Sequence, residues 1–389
     1  MKEAVIVSAV RTPIGSFKGS LSPLSATKLG SIAIAEALKR VNIREDEVDE
    51  LIMGNVLSAG LGQAPARQAA LGAGLPQTVG CTTINKVCGS GLKAVMLAAQ
   101  AIQSGDSEVV VAGGMESMSN APYLLARSSN RNLVNPNELV DSMVKDGLWD
   151  VYNDFHMGAA AELCAEKWDI SREEQDAFAI RSYQSAIAAQ KQGLFRNEIV
   201  PVTTSEETGK FEGDEELRKF DSEKLRNLKP VFKTNGTITA GNASSISDGA
   251  AAVVVLEREK AQTVGLNPLV RIVGYAASAR EPEWFSIAPV EAISLLMHKT
   301  RRTVSDVDLF EINEAFAVSS IAVNRELGLD PQRVNIRGGA VALGHPIGAS
   351  GARVLTTLIY SLIDLHKTIG VAALCIGGGE AVSLMVERV

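Results

Sequence analysis

Four short runs of this chain combine reactive side chains with backbone that can turn sharply. In Asn85-Lys-Val-Cys-Gly-Ser-Gly-Leu-Lys-Ala94, Cys88 sits between a strand-like segment and a helical pattern. Unpaired N–H groups and the helix dipole at such a place favour a thiolate and can hold a developing oxyanion. Gly89 and Gly91 read as the residues that permit the turn. In Gly338-Gly-Ala-Val-Ala-Leu-Gly-His-Pro-Ile-Gly-Ala-Ser-Gly351, His345 lies in a Gly-rich turn that opens another helix. Cys375-Ile-Gly-Gly-Gly-Glu380 sets a second thiol at a strand end, and Asn313-Glu-Ala-Phe-Ala317 follows an apolar strand. Taken singly, each run has a plainer reading. Free cysteines are commonly buried as small hydrophobes, and a histidine often only completes a local hydrogen bond. Taken together, Cys88, Asn313, His345 and Cys375 all fall at strand ends or Gly-rich helix starts, where α/β folds assemble their sites. Their convergence would make one active site, with Cys88 as its candidate nucleophile.

The elements that must position them form an α/β rhythm. Ala4–Val10, the amphipathic stretch Ala26–Val41, Leu51–Val56, the helical run Gly91–Ser104 and Glu108–Ala112 compose a first half. Leu269–Tyr275, Pro289–Thr300, Val307–Ile312, a helix after Gly348 and Gly370–Ile376 repeat the pattern. Each half finishes on a strand running into glycines, at Val109–Met115 and at Val371–Gly379, an echo that fits internal duplication or simply two buried strand-to-glycine turns. The expected division is 1–117 for the N-terminal half, completed by about 248–265, then a loop insertion over 118–247, then 266–389. The fold class is therefore α/β, two similar halves packed as a layered core with an inserted loop domain. The insertion contains the polar runs Arg127–Asn137 and Glu206–Lys229, and excursions of this kind often carry binding function.

Of the 389 residues, 46% are hydrophobic and 21% charged, which is ample for a large core divided into more than one unit. A net charge of −7 offers no footprint for nucleic acid or an anionic membrane. The N-terminal apolar segment Ala4–Val10 is too short for a signal-peptide core, and no apolar run reaches the roughly 18 residues of a membrane span. A soluble cytoplasmic protein is expected. The four cysteines, Cys81, Cys88, Cys164 and Cys375, stand at unrelated spacings, so neither a metal site nor a disulfide framework is indicated. Cys81 and Cys164 read as buried hydrophobes.

These runs, in this order, resemble the thiolase superfamily over essentially the whole chain. Val5–Gly15, Gly113-Gly-Met-Glu-Ser-Met-Ser119, His156-Met-Gly158, Gly241-Asn-Ala-Ser244 and Asp248-Gly-Ala-Ala251 are similar to thiolase blocks as well. The resemblance implies that Cys88 accepts the acyl group, His345 is its base, Cys375 is the acid/base of the second half-reaction and Asn313 holds a water beside His345. It implies an oxyanion site formed by the N–H groups of Cys88 and Gly377. Coenzyme A would be held by His156 and Ser244 along the pantetheine, by Leu148, Met157 and Phe316 as apolar walls, and by Phe232 near the adenine. Arg218 or Lys219 could meet its phosphates, or simply belong to a solvated face.

Within the superfamily, Asp146–Asp150 and Phe155–Gly158 resemble the type that handles acetoacetyl-CoA. The implied substrates are acetyl-CoA, acetoacetyl-CoA and CoA, with no separate cofactor, and the implied assembly is a homotetramer or homodimer. The chain departs from a potassium-binding relative at Leu217, where that enzyme has a tyrosine. A degradative 3-ketoacyl-CoA thiolase of broader chain length is the alternative. A carrier-protein-dependent ketoacyl synthase generally uses Cys-His-His, which Cys375 argues against, and intact reactive residues argue against a catalytically silent subunit.

Overall fold

The computed structural model describes residues 2–126, 139–204 and 209–389, so the run Arg127–Asn137 and part of Glu206–Lys229 lie outside the described residues. Among the described residues the central sheet has ten strands, a two-residue one and nine longer ones: β1 (Ala4–Arg11), β2 (Glu50–Gly54), β3 (Gly80–Ile84), β4 (Val109–Ser117), β5 (Ser247–Glu257), β6 (Val270–Ala279), β7 (Leu309–Ile312), β8 (Ile369–Ile376) and β9 (Glu380–Arg388). Their spatial order is β7-β8-β9-β6-β1-β5-β4-β2-β3, with the short pair Gly15–Ser16 beside β5. Within the sheet, Val5 with Arg271 and Ile6 with Val270 join β1 to β6, and so the strands of one half to those of the other.

Read outward from that seam, the halves repeat. The first runs β1-β5-β4-β2-β3 and the second β6-β9-β8-β7, so each places its first strand beside its last, then its penultimate strand, then its second. In both, the outer pairs are parallel and the inner ones antiparallel. The strand-to-glycine echo at Val109 and Val371 thus falls on equivalent strands, β4 and β8. Where the first half has β3, the second has an isolated parallel bridge between Phe310 and Val334.

The period-two alternation of buried strands explains the layering. Ile6, Val110, Val253, Val255, Val270, Ala372, Leu374, Leu384 and Val386 turn one face inward, against helices α3 (Ser90–Ser104) and α8 (Ser350–Asp364). Val5, Val7, Leu51, Met53, Val111, Val254 and Leu256 turn the opposite face of the first half onto α1 (Ala26–Val41) and α2 (Pro65–Gly72). Phe310, Ile312, Val371, Ala373 and Met385 do the same in the second half against α6 (Ala288–Thr300) and α7 (Ala317–Leu327). Five layers result, with α3 and α8 in the middle. Helix α1 starts where Ser25 accepts a hydrogen bond from the Lys28 N–H and stops at Asn42 in the left-handed region.

One strand expectation changes. The segment Glu108–Ala112 continues as β4 to Ser117, straight through Gly113 and Gly114. A Cβ on Gly114 would lie 2.0 Å from the Gly348 carbonyl oxygen and one on Gly113 2.1 Å from the Ala251 carbonyl oxygen, so Gly114 lets another loop, and Gly113 the neighbouring strand, approach closely without ending β4. Between β4 and β5, helices α4 (Met157–Lys167) and α5 (Arg172–Lys191) pack over the core. This segment is docked by charge as well as by apolar contact. Arg11 of β1, wholly buried, donates to Glu198 at 2.6 Å and to both oxygens of Asp214 at 2.7 and 2.9 Å. Thr357 of α8 donates to the same Glu198 at 3.1 Å. Removing either partner of such a pair would strand a charge in the interior, at a cost of about 3–5 kcal/mol.

Candidate active site

The parallel strands of both halves deliver their ends to one cavity of about 430 Å³. Cys88, His345, Cys375 and Gly377 line it, together with Leu148, His156, Met157, Phe232, Ser244 and Phe316. Every residue expected at a site on sequence grounds lies here, except that Asn313 stands behind His345 instead of on the wall. Phe285, Ala315 and Ile347 also line the cavity and were not singled out in the sequence.

Cys88 precedes α3, but the turn differs from the expected one. Gly89 has right-handed backbone (φ −82°) and Gly91 is inside the helix, whereas Val87 takes the left-handed region at φ 45°. A β-branched residue there is strained, and the strain sits immediately before the nucleophile candidate. The two glycines serve close packing. A Cβ on Gly89 would be 2.4 Å from Ile376 Cδ1, and one on Gly91 2.8 Å from the Ala352 nitrogen. Thus α3 is pressed against β8 and α8, which bring Cys375 and the His345 turn alongside.

Burial pushes the Cys88 thiol up to about 11, while the N–H groups of Gly377 and of Cys88 itself pull the other way. The helix start was expected to favour a thiolate, yet desolvation by burial outweighs it. Cys375 at the end of β8 is also raised, first by burial and then by the proximity of Cys88. His345 is buried, and desolvation, with a smaller contribution from Arg353, lowers it to about 3. At neutral pH the resting constellation is therefore two thiols and a neutral imidazole.

Asn313 extends from β7, its N–H donating to the Ala373 carbonyl at 2.9 Å. Its Nδ2 is 3.4 Å from Nδ1 and 3.5 Å from Nε2 of His345, longer than a good N–H···N contact. Its Oδ1 is buried without a protein partner. Glu116 of β4 holds the His345 loop in place. It accepts from Gly348 N at 2.9 Å, Val56 N at 3.1 Å, Leu57 N at 3.2 Å and Asn55 Nδ2 at 2.9 Å. Burial raises Glu116 to about 7 against the pull of these N–H groups. Asn55 and Glu116 were missed by sequence reasoning, although Glu116 lies within the quoted run Gly113–Ser119.

The remaining wall is apolar and aromatic. His156 starts α4, where its Nδ1 accepts from Gly158 N at 3.0 Å, and its ring stacks on Phe232 with centroids 4.7 Å apart. Burial lowers its pKa, so it too is a neutral ring. Ser244 donates to the Ala315 carbonyl at 2.9 Å. Lys219 pairs with Glu216, and Arg218 lies over the Phe211 ring; neither lines the cavity. Leu217 is buried among Ile14, Ala186, Phe195 and Leu343. Among the described residues no group of three or more His, Cys, Asp or Glu is arranged to hold a metal ion. Cys164 is buried as expected, while Cys81 is partly exposed, its thiol 3.5 Å from the Val79 carbonyl. No helix among the described residues is long and apolar enough to cross a membrane.

A layered α/β duplication with two thiols and a histidine at one mouth defines a class, and the sequence comparison identifies it. Residues 4–259 match the model of the thiolase N-terminal domain and residues 266–388 that of the thiolase C-terminal domain, so the chain belongs to the thiolase family. It is 56% identical to acetyl-CoA acetyltransferase 2 of Arabidopsis thaliana, covering 99% of this chain and 97% of that one. It is 51% identical to the acetyl-CoA acetyltransferase of Pseudomonas aeruginosa, covering 100% of both. Among solved structures, the Acat5 thiolase of Ascaris suum in complex with coenzyme A superposes with a TM-score of 0.94 at 45% identity, covering 100% of both chains. The Bacillus anthracis acetyl-CoA acetyltransferase gives a TM-score of 0.97 at 43% identity, covering 100% of this chain and 99% of that one.

Proposed function

We propose that this thiolase condenses two molecules of acetyl-CoA to acetoacetyl-CoA and CoA, and runs the reverse thiolysis, through an acetyl group on Cys88. The observation that carries the reading is the meeting of Cys88, Cys375 and His345 in one cavity, with the Gly377 N–H beside the Cys88 thiol. Full-length relatives bearing the acetyl-CoA acetyltransferase name support the substrate.

In the first half-reaction the Cys88 proton passes to neutral His345 as sulfur attacks the acetyl carbonyl. The carbon–sulfur bond to CoA then breaks. The departing CoA thiolate takes a proton from Cys375, leaving acetyl-Cys88, a Cys375 thiolate and a protonated His345. The N–H groups of Cys88 and Gly377 hold the tetrahedral oxyanion; one such donor is worth on the order of 3 kcal/mol of barrier. In the second half-reaction the Cys375 thiolate removes a methyl proton from another acetyl-CoA. Its burial makes that thiolate strongly basic, as removal of a proton from carbon requires. The enolate, facing His345 and a water held by Asn313 Oδ1, attacks acetyl-Cys88. Collapse releases Cys88, which recovers its proton from His345. One thiol could not hold the acyl group and remove the proton as well.

His156, Ser244, Leu148, Met157, Phe232 and Phe316 complete the CoA channel in this reading. A homotetramer or homodimer is the accompanying expectation, resting on the family resemblance, and a cytoplasmic location is the expectation resting on the sequence. Steady-state thiolysis of a graded 3-ketoacyl-CoA series tests the substrate. Acetoacetyl-CoA should have the highest kcat/KM; equal or better cleavage of 3-ketohexadecanoyl-CoA would overturn the assignment in favour of a degradative enzyme of broad chain length.

A further inference from the structure

The hydrogen bonds around His345 decide which of its nitrogens carries the proton. Ser350, in the first turn of α8 and fully buried, brings its Oγ to 2.6 Å from His345 Nδ1 and to 3.0 Å from the Pro346 carbonyl oxygen. A hydroxyl has one hydrogen. At 3.0 Å two oxygens must hold a proton between them or oppose lone pair to lone pair, and a serine in a first helical turn commonly back-bonds to the carbonyl four residues earlier. The Pro346 carbonyl also accepts from Ala349 N and Ser350 N, so the hydroxyl shares that oxygen with two backbone donors. With its hydrogen committed there, Oγ can only accept from His345, and Nδ1 must be the protonated nitrogen.

We infer that Ser350 is a positioning residue that fixes the Nδ1–H tautomer of His345, leaving the Nε2 lone pair as the base toward Cys88. The surroundings agree with a ring kept neutral until it acts. Arg353, one turn further along α8, is 2% exposed and its three guanidinium nitrogens have no hydrogen-bond partner within the protein. Its nearest carboxylate, Glu311 of β7, lies 3.9 Å away. A cation so placed disfavours a permanent imidazolium. Nor does Asn313 compete for the Nδ1 proton, because the near group is its Nδ2, a donor. The two elements that carry Asn313 and Ser350 meet at the Arg353–Glu311 pair, so ring orientation and tautomer are set from the same side.

The inference deepens the acyl-transfer reading, but its first test is independent of that reading. The chain has four histidines, which makes nitrogen-15 labelling of histidine readable, with His345→Gln identifying the signal. In the native protein, without substrate, His345 should show a protonated Nδ1 and a lone pair on Nε2 near neutral pH. An Nε2–H signal would overturn the proposal whatever the enzyme's activity. Ser350→Ala should release the tautomer to a mixture and lower kcat roughly 10- to 100-fold, as loss of the group orienting a functional histidine does at metal sites, with KM nearly unchanged. Ser350→Thr, which keeps the hydroxyl, should restore the single tautomer and most of kcat. A Ser350→Ala protein that keeps both the native tautomer and the native kcat would also sink the idea.

Discussion

The two halves place the same elements around the same cavity and use them differently. In the first half, Asn55 follows β2 and Glu116 lies near the end of β4, and their side chains bond to each other at 2.9 Å. Glu116 spends its remaining acceptors on Val56, Leu57 and Gly348. In the second half, the equivalent strands β7 and β8 end in Asn313 and Cys375. There the Asn313 Oδ1 has no protein partner, and the buried Cys375 thiol faces the cavity. Asn55 Oδ1 is likewise buried without a protein partner, so the difference lies elsewhere: Asn55 Nδ2 is held by Glu116 and the Met115 carbonyl in a rigid mount, whereas the second half sets a thiol at the cavity. The central helices divide labour in the same way. Cys88 at the start of α3 meets two N–H groups suited to an oxyanion, whereas the His345 turn before α8 is desolvated beside a buried arginine. A duplicated scaffold thus sets position, and the local balance of hydrogen bonds and burial sets chemistry.

That contrast can be broken residue by residue. Asn313→Ala should lower the condensation rate by about 10²- to 10³-fold, the usual cost of one oxyanion-site donor, with the unfolding free energy nearly unchanged. Asn55→Ala, its counterpart, should mainly lower stability. Steady-state kinetics and denaturant unfolding on the pair would contradict the account if the two phenotypes were exchanged.

Alkylation of Cys88 by iodoacetamide probes the electrostatic half of the comparison. With the free thiol near 11, the thiolate fraction and hence the rate should rise about tenfold per pH unit from 7 toward 10. His345, near 3, stays neutral across this range and adds no inflection. A plateau by pH 8 would instead mean a resident thiolate–imidazolium pair.

A smaller effect is expected at the mount. Glu116→Gln places an amide NH2 where N–H donors converge, and should reduce the free energy of unfolding by about 1–3 kcal/mol, read by urea titration. Unchanged stability would show that the Gly348 loop is held by packing alone. The smallest is at Leu217, whose own side chain supplies no oxygen ligand and which is buried in an apolar cluster. Potassium should activate no more than sodium at equal ionic strength, and several-fold selective activation would require another set of ligands.

Much of this was legible in the chain because it is local. The strands announce themselves by apolar runs, α1 by its period, and Cys88, His345, Asn313 and Cys375 by unusual residues beside glycines. What was hidden depends on partners far away in sequence. Glu116 is a site-building residue only because Gly348, 232 positions on, donates to it. The glycines of β4 looked like a strand end because nothing local reveals that the Gly348 carbonyl will lie against them. Likewise the strain at Val87 and the hydroxyl of Ser350 acquire meaning from the tertiary contacts of α3 and the His345 turn. Composition likewise hid Asp214, a buried partner of Arg11 inside a segment that reads as solvated charge.

The central claim is that the two cysteines divide one reaction, and intact-mass spectrometry after brief exposure to acetyl-CoA tests it most directly. The native protein and the Cys375→Ala variant should each gain one acetyl group per chain, mapped by peptide to Cys88. The Cys375→Ala variant should nevertheless lose condensation by about 10²- to 10⁴-fold, the range of a positioned acid/base. Cys88→Ala should gain no acetyl group and form no acetoacetyl-CoA. An acetyl group mapped to Cys375 in the native protein, or acetoacetyl-CoA made by Cys88→Ala, would contradict the division.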